Sequence, residues 1–268
     1  MRFLQILLGL IVAAAGSVHA DNWPHWRGPL ASGVSTETGL PSRWSATEGI
    51  AWKAAIRGLG VSSPIVWGNR VFVTSQVGTG TSRQGPRLAQ GADAAAAGER
   101  SLGAGAGAAA PAAAEGITFL VTAFDRVTGA KLWESVTKAE GPMPSVHDKH
   151  NMASSSPVTD GERVYAWFAT GQLVAIDTTG KTVWSKHLGT EYGPFEINWG
   201  HGSSPTIHKG QLLLICYHDK ASYLLSLDAT TGKVRWKSDQ PSGVTSYSTP
   251  LVVEIGRASC RERVSECV

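Results

Sequence analysis

The sequence has little cysteine and no strong charge of either sign. It contains three cysteines in 268 residues, and two of them, Cys260 and Cys267, lie in the last nine positions. The third, Cys216, stands in an apolar segment, where a lone cysteine usually behaves as a small buried hydrophobe. No disulfide framework is therefore indicated. The formal net charge of +3 gives no support for a nucleic-acid or membrane-surface role.

The sequence also lacks helical periodicity and the common catalytic signatures. No stretch of residues 21–253 keeps a helical spacing of apolar residues over ten positions. Ser-His-Asp signatures, phosphate-binding glycine loops and paired catalytic carboxylates are not evident. Glycine is plentiful, but it stands in turns and in one Ala/Gly-rich segment. The sequence therefore does not indicate a helical fold, and it does not indicate an enzyme that uses one of these catalytic signatures.

The first 20 residues have the pattern of a secretory signal peptide. Arg2 is followed by an apolar run from Phe3 to Ala15, and small residues lead up to Ala20. The run is short for a membrane span, although an uncleaved anchor is the alternative. We expect cleavage after Ala20, a periplasmic or secreted protein, and no membrane span after cleavage. Residue 21 is Asp rather than Cys, so nothing indicates a lipid anchor.

The last residues break the pattern of the rest of the chain. STPLVV at 248–253 is typical of a strand, whereas IGRASCRERV at 255–264 matches the in-frame translation of a common sequencing adapter. We therefore predict that the authentic sequence stops near Val253 and that residues 254–268 are a non-native tail. The alternative is a genuine basic tail.

Three similar phrases repeat along the chain: AFDRVTGAKLW at 123–133, AIDTTGKTVW at 175–184 and SLDATTGKVRW at 226–236. Their aspartates lie 52 and 51 residues apart. Ser-Ser-Pro stands upstream of each phrase, beginning at positions 62, 155 and 203, and a fourth copy starts at Tyr247. Internal repeats of this length are typical of propellers and solenoids.

Each repeat carries a turn with a clear physical purpose. The aspartate can accept hydrogen bonds from the following backbone N–H groups, and the glycine can adopt a positive φ. The tryptophan can fill a gap between sheets while its N–H bonds a carbonyl. The structural repeat residues are Asp125, Gly129, Trp133, Asp177, Gly180, Trp184, Asp228, Gly232 and Trp236.

The segments between these turns are short, apolar or alternating, and rich in β-branched and aromatic residues, which favours strands. Four short antiparallel strands per unit are typical of a propeller blade. We therefore predict an all-β fold, a partial β-propeller of four-stranded antiparallel blades over residues 21–253. An Ala/Gly-rich insertion at 78–116 interrupts the first blade, and its composition predicts disorder.

The Asp-x-x-Thr-Gly-Lys-x-x-Trp phrase with its upstream Ser-Ser-Pro resembles the repeat of the pyrroloquinoline-quinone (PQQ)-like β-propellers, in the quinoprotein alcohol dehydrogenase-like superfamily. The resemblance covers residues 22–253. It implies a full propeller of about seven or eight blades. About three blades are present here, so we expect this chain to be an N-terminal fragment.

The resemblance also implies where an enzyme of this superfamily would hold its cofactor. Quinoprotein dehydrogenases hold PQQ over the channel, with calcium bound by Glu, Asn and Asp side chains, a catalytic Asp and commonly two adjacent cysteines. This sequence has no adjacent cysteines, and its repeated aspartates belong to turns. The expectation that the protein binds PQQ with calcium therefore rests on the resemblance alone. The residues themselves indicate no catalytic, cofactor-binding or metal-binding group.

Polar and aromatic residues stand just before the Ser-Ser-Pro of successive repeats. Since the first strand of a propeller blade is innermost, these residues should gather at one mouth of the channel. They could bind a ligand, an anion or a metal, or they could bond to the loops and cap the channel. The candidate ligand-binding residues are His147, His150, Asn151, Trp199, His201 and Tyr247.

The segment WPHWRGP at 23–29 has two interpretations. Trp23, Trp26 and Arg27 could stack on a ligand, or the segment could dock on the propeller as a rigid strap. We favour the strap, because proline-flanked aromatics suit a packed segment.

The sequence thus predicts an exported, non-catalytic propeller that acts as a binding scaffold for a protein, peptide or small ligand. One alternative is a PQQ-dependent or quinone-related oxidoreductase whose catalytic half lies outside these residues. Another is a propeller scaffold in envelope-protein assembly.

Overall fold

The computed structural model describes residues 21–80, 82–83, 116–241, 245–255 and 258–259. The predicted signal peptide, most of the Ala/Gly-rich insertion and most of the predicted tail lie outside this part of the chain. In chain order the elements are β1 (Ile65–Trp67), β2 (Arg70–Val77), β3 (Ser82–Arg83), β4 (Thr118–Asp125), β5 (Lys131–Lys138), β6 (Val146–His147), β7 (Val158–Thr159), β8 (Arg163–Trp167), β9 (Gln172–Asp177), β10 (Thr182–His187), α1 (Leu188–Tyr192), β11 (Thr206–His208), β12 (Gln211–Tyr217), β13 (Ser222–Asp228), β14 (Val234–Gln240), β15 (Glu254–Ile255) and β16 (Ala258–Ser259).

Twelve of these strands form three four-stranded antiparallel sheets, which we call blades. Blade 1 has the order β1-β2-β4-β5, blade 2 is β7 to β10, and blade 3 is β11 to β14. The first strands of neighbouring blades contact one another, β1 with β7 and β7 with β11, so the first strands are innermost. The predicted fold class is confirmed: this is an incomplete β-propeller with one five-residue helix, α1, in its described part.

Blade 2 is buried on both faces, which explains why the four residues of its second strand after Arg163 are all apolar or aromatic. Val164 and Ala166 face the core shared with blade 1, whereas Tyr165 and Trp167 face the core shared with blade 3. All four side chains are at most 1% exposed. Since successive strand residues point to opposite faces, a strand buried between two blades needs apolar residues on both of its faces.

The repeated aspartates close the turns between the third and fourth strands. Asp125 Oδ1 accepts from the Thr128 amide at 2.8 Å, Asp177 Oδ1 from the Thr179 amide at 2.8 Å and Asp228 Oδ1 from the Thr231 amide at 2.9 Å. The Thr128 amide is the largest cause that holds the pKa of Asp125 below its usual value, and the Thr179 hydroxyl is the largest cause for the lowered pKa of Asp177. The ion pair with Arg235 is the largest cause at Asp228, whose pKa falls to about 2.

Each repeated tryptophan links its own blade to the turn of the next blade. The Nε1 atom of Trp133 donates to the Thr178 carbonyl at 3.0 Å, and that of Trp184 donates to the Ala229 carbonyl at 2.9 Å. In both cases the acceptor is the residue directly after the turn aspartate.

Trp52 makes the same contact with blade 1, although it lies outside the named strands. Its Nε1 atom donates to the Arg126 carbonyl at 2.8 Å, directly after Asp125. A Cβ built on Gly129 would lie 2.5 Å from the Trp52 ring. Trp52 therefore occupies the position relative to blade 1 that Trp133 occupies relative to blade 2.

A belt of hydroxyl groups connects the Ser-Ser-Pro segments along the inner side of the blades. The Ser63 amide donates to Ser156 Oγ at 3.0 Å, and the Ser156 amide donates to Ser204 Oγ at 2.9 Å. The Ser204 amide donates in turn to Thr249 Oγ1 at 3.2 Å. The second hydroxyl of each motif thus satisfies a backbone N–H of the preceding blade.

The segment at 23–29 packs on the inner strands. Trp23 and Val66 exchange two backbone hydrogen bonds of 2.8 and 2.9 Å, and the Pro24 carbonyl accepts from Thr159 at 2.9 Å. The segment therefore spans blades 1 and 2. Among the described residues, no helix is long and apolar enough to cross a membrane.

Candidate functional site

Five of the six predicted site residues lie in the connections that lead from the outermost strand of one blade to the innermost strand of the next, and Tyr247 lies in the segment that follows blade 3. The connections cover residues 139–157 and 188–205, and the described residues after blade 3 are 241 and 245–255. Because they cross the same face of consecutive blades, residues far apart in sequence meet there. The start of the long insertion lies on this face too, since β3 pairs in parallel with β6.

Trp199 is the centre of a partly exposed group of site residues. Its carbonyl accepts from the His147 amide at 2.9 Å and also from His150 Nε2. Its amide donates to the Tyr247 hydroxyl at 3.2 Å. The His147 and Trp199 rings lie 5.1 Å apart. The structure therefore brings together His147, His150, Trp199 and Tyr247, which we call the mouth cluster.

The two histidines of the mouth cluster are held by short-range contacts. His147 Nδ1 accepts from the Lys149 amide at 3.0 Å and lies 3.0 Å from the Asp148 carboxylate. His150 Nδ1 lies 2.9 Å from Ser154 Oγ. These contacts fix the ring orientations, so the cluster presents a defined surface.

Asn151 lies beside the mouth cluster, but its side chain is used inside the fold. Its Nδ2 atom donates to the Leu59 carbonyl at 2.8 Å, and its Oδ1 atom accepts from the Ala153 amide at 2.9 Å. The side chain is buried. Asn151 therefore ties the connection to residue 59 rather than facing a ligand.

His201 lies beneath the mouth cluster, between blades 2 and 3. Its ring is 4.0 Å from the Trp167 ring and 5.2 Å from the Phe195 ring, measured between centroids. Burial lowers the pKa of His201 to about 3, and the neighbouring His218 and His150 contribute repulsion. The imidazole is therefore neutral at pH 7, and its place is in the core rather than on the exposed surface.

A groove with a volume of about 440 Å³ opens next to the mouth cluster. Its apolar wall comes from two loops, with Met143 and Pro144 on one side and Phe195 and Ile197 on the other. Both loops begin with Gly-Pro and an apolar residue, at 141–143 and 193–195. Sequence reasoning missed the groove, and this repeated Gly-Pro-apolar phrase is the signal that could have found it.

The groove carries negative charge at its edge. Asp219 and Glu196 both line it, and the Asp219 amide donates to the Glu196 carbonyl at 2.8 Å. Glu196 forms an ion pair with Lys220 at 2.8 Å, while Asp219 lies on the exposed surface. An apolar wall with an acidic edge suits a ligand that is partly apolar and partly basic.

The described residues do not fit a calcium-bound quinone. In the part of the chain that the structure describes, no group of three or more His, Cys, Asp or Glu side chains could hold a metal ion. The carboxylates of Asp125, Asp177 and Asp228 accept hydrogen bonds within their own turns. These carboxylates therefore serve the turns of the blades.

Comparison with known proteins gives one family match. The model of a family described as outer membrane protein assembly factor BamB matches residues 118–259, which is more than half of the chain. No curated protein matches the chain significantly.

The solved structures that resemble this chain are of longer proteins. Quinohemoprotein alcohol dehydrogenase ADHIIG from Pseudomonas putida HK5 is 16% identical, with a TM-score of 0.44, over 81% of this chain and 26% of that chain. BamB from Moraxella catarrhalis is 15% identical, with a TM-score of 0.43, over 76% of this chain and 46% of that chain. A europium-containing methanol dehydrogenase is 13% identical, with a TM-score of 0.38, over 69% of this chain and 26% of that chain. The chain thus spans between a quarter and a half of these structures.

Proposed function

The chain belongs to the PQQ-like β-propeller family represented by the outer membrane protein assembly factor BamB model, and from this premise we propose that it is an exported, non-catalytic scaffold that binds a peptide segment of another protein. The binding face is the one crossed by the connections between blades. It combines the mouth cluster with the adjoining groove.

The groove is the observation that carries this proposal. Its volume of about 440 Å³ lies in the lower part of the range of ligand pockets. Ser145 and Asn198 line it, and they stand next to the segments that carry His147 and Trp199. A ligand that extends from the groove past Ser145 and Asn198 would reach the mouth cluster.

The chemistry of this surface favours an extended segment with one large apolar side chain and a nearby lysine or arginine. The apolar side chain would pack on Met143 and Phe195, and the cation would face Asp219. Tyr247 is 47% exposed and offers an aromatic contact of the kind that anchors many protein interfaces. The family description concerns outer-membrane protein assembly, and a scaffold role in envelope-protein assembly agrees with such a partner.

The test uses two labelled peptides that share an apolar centre and differ only in their flanks, lysine in one and glutamate in the other. We expect fluorescence anisotropy to show tighter binding of the lysine peptide. Asp219→Asn should weaken that peptide several-fold, whereas Asp239→Asn on the outer strand β14 is the matched control. Equal binding of both peptides, or no effect of Asp219→Asn, would contradict the proposal.

Two further measurements address export and the enzyme alternative. Cleavage after Ala20 should give a mature protein whose N-terminal sequence begins at Asp21. Given PQQ and calcium, the intact protein, with any blades that lie beyond these residues, should show neither quinone absorbance nor dye reduction with alcohols. If both signals appear, the protein is a quinoprotein oxidoreductase and the proposal of a non-catalytic scaffold is wrong.

A further inference from the structure

Phe195 separates the groove from three buried rings between blades 2 and 3. Its side chain lines the groove and is only 4% exposed. The centroid of its ring lies 5.7 Å from that of Trp167, 5.2 Å from that of His201 and 4.8 Å from that of His218. None of these three rings lines the groove. We call the space that the Phe195 ring fills between them the Phe195 pocket.

The Phe195 pocket fits closely around one six-membered ring. A Cβ built on Gly171, in the hairpin between β8 and β9, would lie 2.8 Å from the Phe195 ring. The Trp167 ring meets Phe195 edge-on at 83°, and the His218 ring is tilted by 34°. Edge-on and tilted contacts are ordinary geometries of aromatic packing. The pocket therefore has the size and shape for a single aromatic side chain.

The walls of the pocket carry polar atoms that a phenyl ring cannot satisfy. In the part of the chain that the structure describes, four buried ring nitrogens have no hydrogen-bond partner, namely Trp167 Nε1, His201 Nε2 and both nitrogens of His218. All four belong to rings that contact Phe195, and these three residues are at most 1% exposed. Buried polar groups almost always have a partner, and an unpaired one is unfavourable. The pocket is therefore suited to a ring that carries a polar atom.

The walls also determine which polar atom fits. Burial lowers the pKa of His201 to about 3 and lowers the pKa of His218 as well, so both imidazoles are neutral at pH 7. A neutral imidazole offers one donor and one acceptor, whereas the indole of Trp167 only donates. A phenol hydroxyl can donate to an imidazole and accept from an indole, which neither a phenyl ring nor a second indole can do. A charged group would lose its hydration without gaining a counter-charge.

We propose that the Phe195 pocket is a binding subsite for a tyrosine side chain, which Phe195 fills in the free protein. This inference rests on the proposed function, because the tyrosine belongs to the peptide segment bound in the groove. That tyrosine first packs on Phe195 and then takes the place of its ring, which moves out into the groove that it already lines. One aromatic ring replaces another, so the buried apolar area changes little. The gain is the set of hydrogen bonds that the phenol makes with the unpaired nitrogens.

The first test uses two labelled, lysine-flanked peptides whose central residue is tyrosine in one and phenylalanine in the other. Fluorescence anisotropy with the wild-type chain should show about tenfold tighter binding of the tyrosine peptide, the effect of one or two hydrogen bonds. His218→Phe keeps a ring and removes two of the four unpaired nitrogens, so the preference for tyrosine should fall roughly threefold. His208→Phe is the matched control, because His208 lies on β11 and does not line the groove. It should leave the preference unchanged.

Two outcomes of the peptide test would overturn the subsite and leave the proposed function intact. One is equal binding of the tyrosine and phenylalanine peptides, with both still weakened by Asp219→Asn. The other is a preference for tyrosine that His218→Phe does not reduce.

If neither peptide binds, the proposed function fails, and a measurement without peptide decides the subsite. Phe195→Ala empties the pocket. The side-chain analogue of tyrosine, p-cresol, should raise the melting temperature of this variant more than toluene does at the same concentration. Equal shifts with p-cresol and toluene would show that the pocket does not recognise a hydroxyl, and would overturn the proposal.

Discussion

The ring of Trp133 in blade 1 lies directly against Gly180 in blade 2. A Cβ built on Gly180 would lie 2.9 Å from that ring, and the φ of Gly180 is 93°. The glycine is therefore required twice, once by its backbone conformation and once by the tryptophan. The same arrangement recurs between Trp184 and Gly232.

Gly180→Ala should destabilise the fold more than a glycine substitution that meets no neighbour. Positive φ costs an alanine about 1–2 kcal/mol, and the clash with Trp133 adds about 1–3 kcal/mol. Gly210→Ala is the matched control, because Gly210 has a φ of 72° and nothing within 4 Å of its added Cβ. The urea concentrations at the unfolding midpoints of the two variants measure the difference in stability. Equal midpoints would show that the added Cβ at position 180 does not clash with Trp133.

Substitutions of Trp133 should separate its packing from its hydrogen bond. Trp133→Ala loses the ring contact between blades and should cost about 3 kcal/mol. Trp133→Phe keeps much of the packing but leaves the Thr178 carbonyl without its donor, at about 1 kcal/mol. Trp44→Ala is the control, since Trp44 is 70% exposed and its loss should change the unfolding free energy by less than about 0.5 kcal/mol. A Trp133→Ala effect as small as that of Trp44→Ala would contradict the role assigned to the repeated tryptophan.

The two serines of one Ser-Ser-Pro motif should respond differently to alanine. Ser204 Oγ accepts from the Ser156 amide, so Ser204→Ala leaves a buried N–H unpaired, at about 1–3 kcal/mol. Ser203 is fully buried, and its hydroxyl has no hydrogen-bond partner among the described residues. Ser203→Ala should therefore be neutral or slightly stabilising. Thermal unfolding of the two variants at one protein concentration measures this difference. Equal melting temperatures would show that the Ser204 hydroxyl does not stabilise the fold through the Ser156 amide.

The buried imidazole of His201 should make stability depend on pH. Its folded pKa of about 3 lies below the ordinary value of 6.5, so below pH 6.5 the unfolded chain binds a proton that the folded chain does not. The contribution of neutral His201 is complete above pH 6.5 and is lost as the pH falls from 6.5 towards 3. At pH 5.5 the loss is about 1 kcal/mol for this group.

His201→Phe removes this titration while it keeps a ring beside Trp167 and Phe195. The difference in unfolding free energy between pH 7.5 and pH 5.5 should shrink by about 1 kcal/mol in the variant. The remaining dependence includes His218, whose pKa is also lowered by burial. An unchanged difference would mean that His201 is solvated in the folded protein.

The repeated phrases carried the fold prediction because their chemistry is local. The aspartate bonds to amides two to four residues ahead, and the glycine φ is set within the same turn. A sequence can show such features without knowledge of the neighbours. The role of Trp52 was not recognised from the sequence, because no Asp-x-x-Thr-Gly phrase precedes it and only its contact with Gly129 reveals that role.

The candidate site could be predicted only in part. The position of the histidines before Ser-Ser-Pro placed His147, His150 and Tyr247 near one another, and the structure brings them together around Trp199. The burial of His201 could not be foreseen, since it depends on Trp167 and Phe195, which lie 34 and 6 residues away in sequence. The groove likewise exists only where two connections meet.

The hydroxyl belt gives the blades a direction. From Ser63 to Thr249, every link runs from an amide of one Ser-Ser-Pro segment to a hydroxyl of the next such segment along the chain, the last being Ser-Thr-Pro. Each blade is thus a donor on one side and an acceptor on the other, like the units of a head-to-tail chain. A blade inserted in reverse would set two amides or two hydroxyls against each other and leave an amide unpaired. The orientation of every added blade is therefore fixed by the polarity of one hydrogen bond. Head-to-tail contacts of this kind either close into a ring or continue as an open spiral.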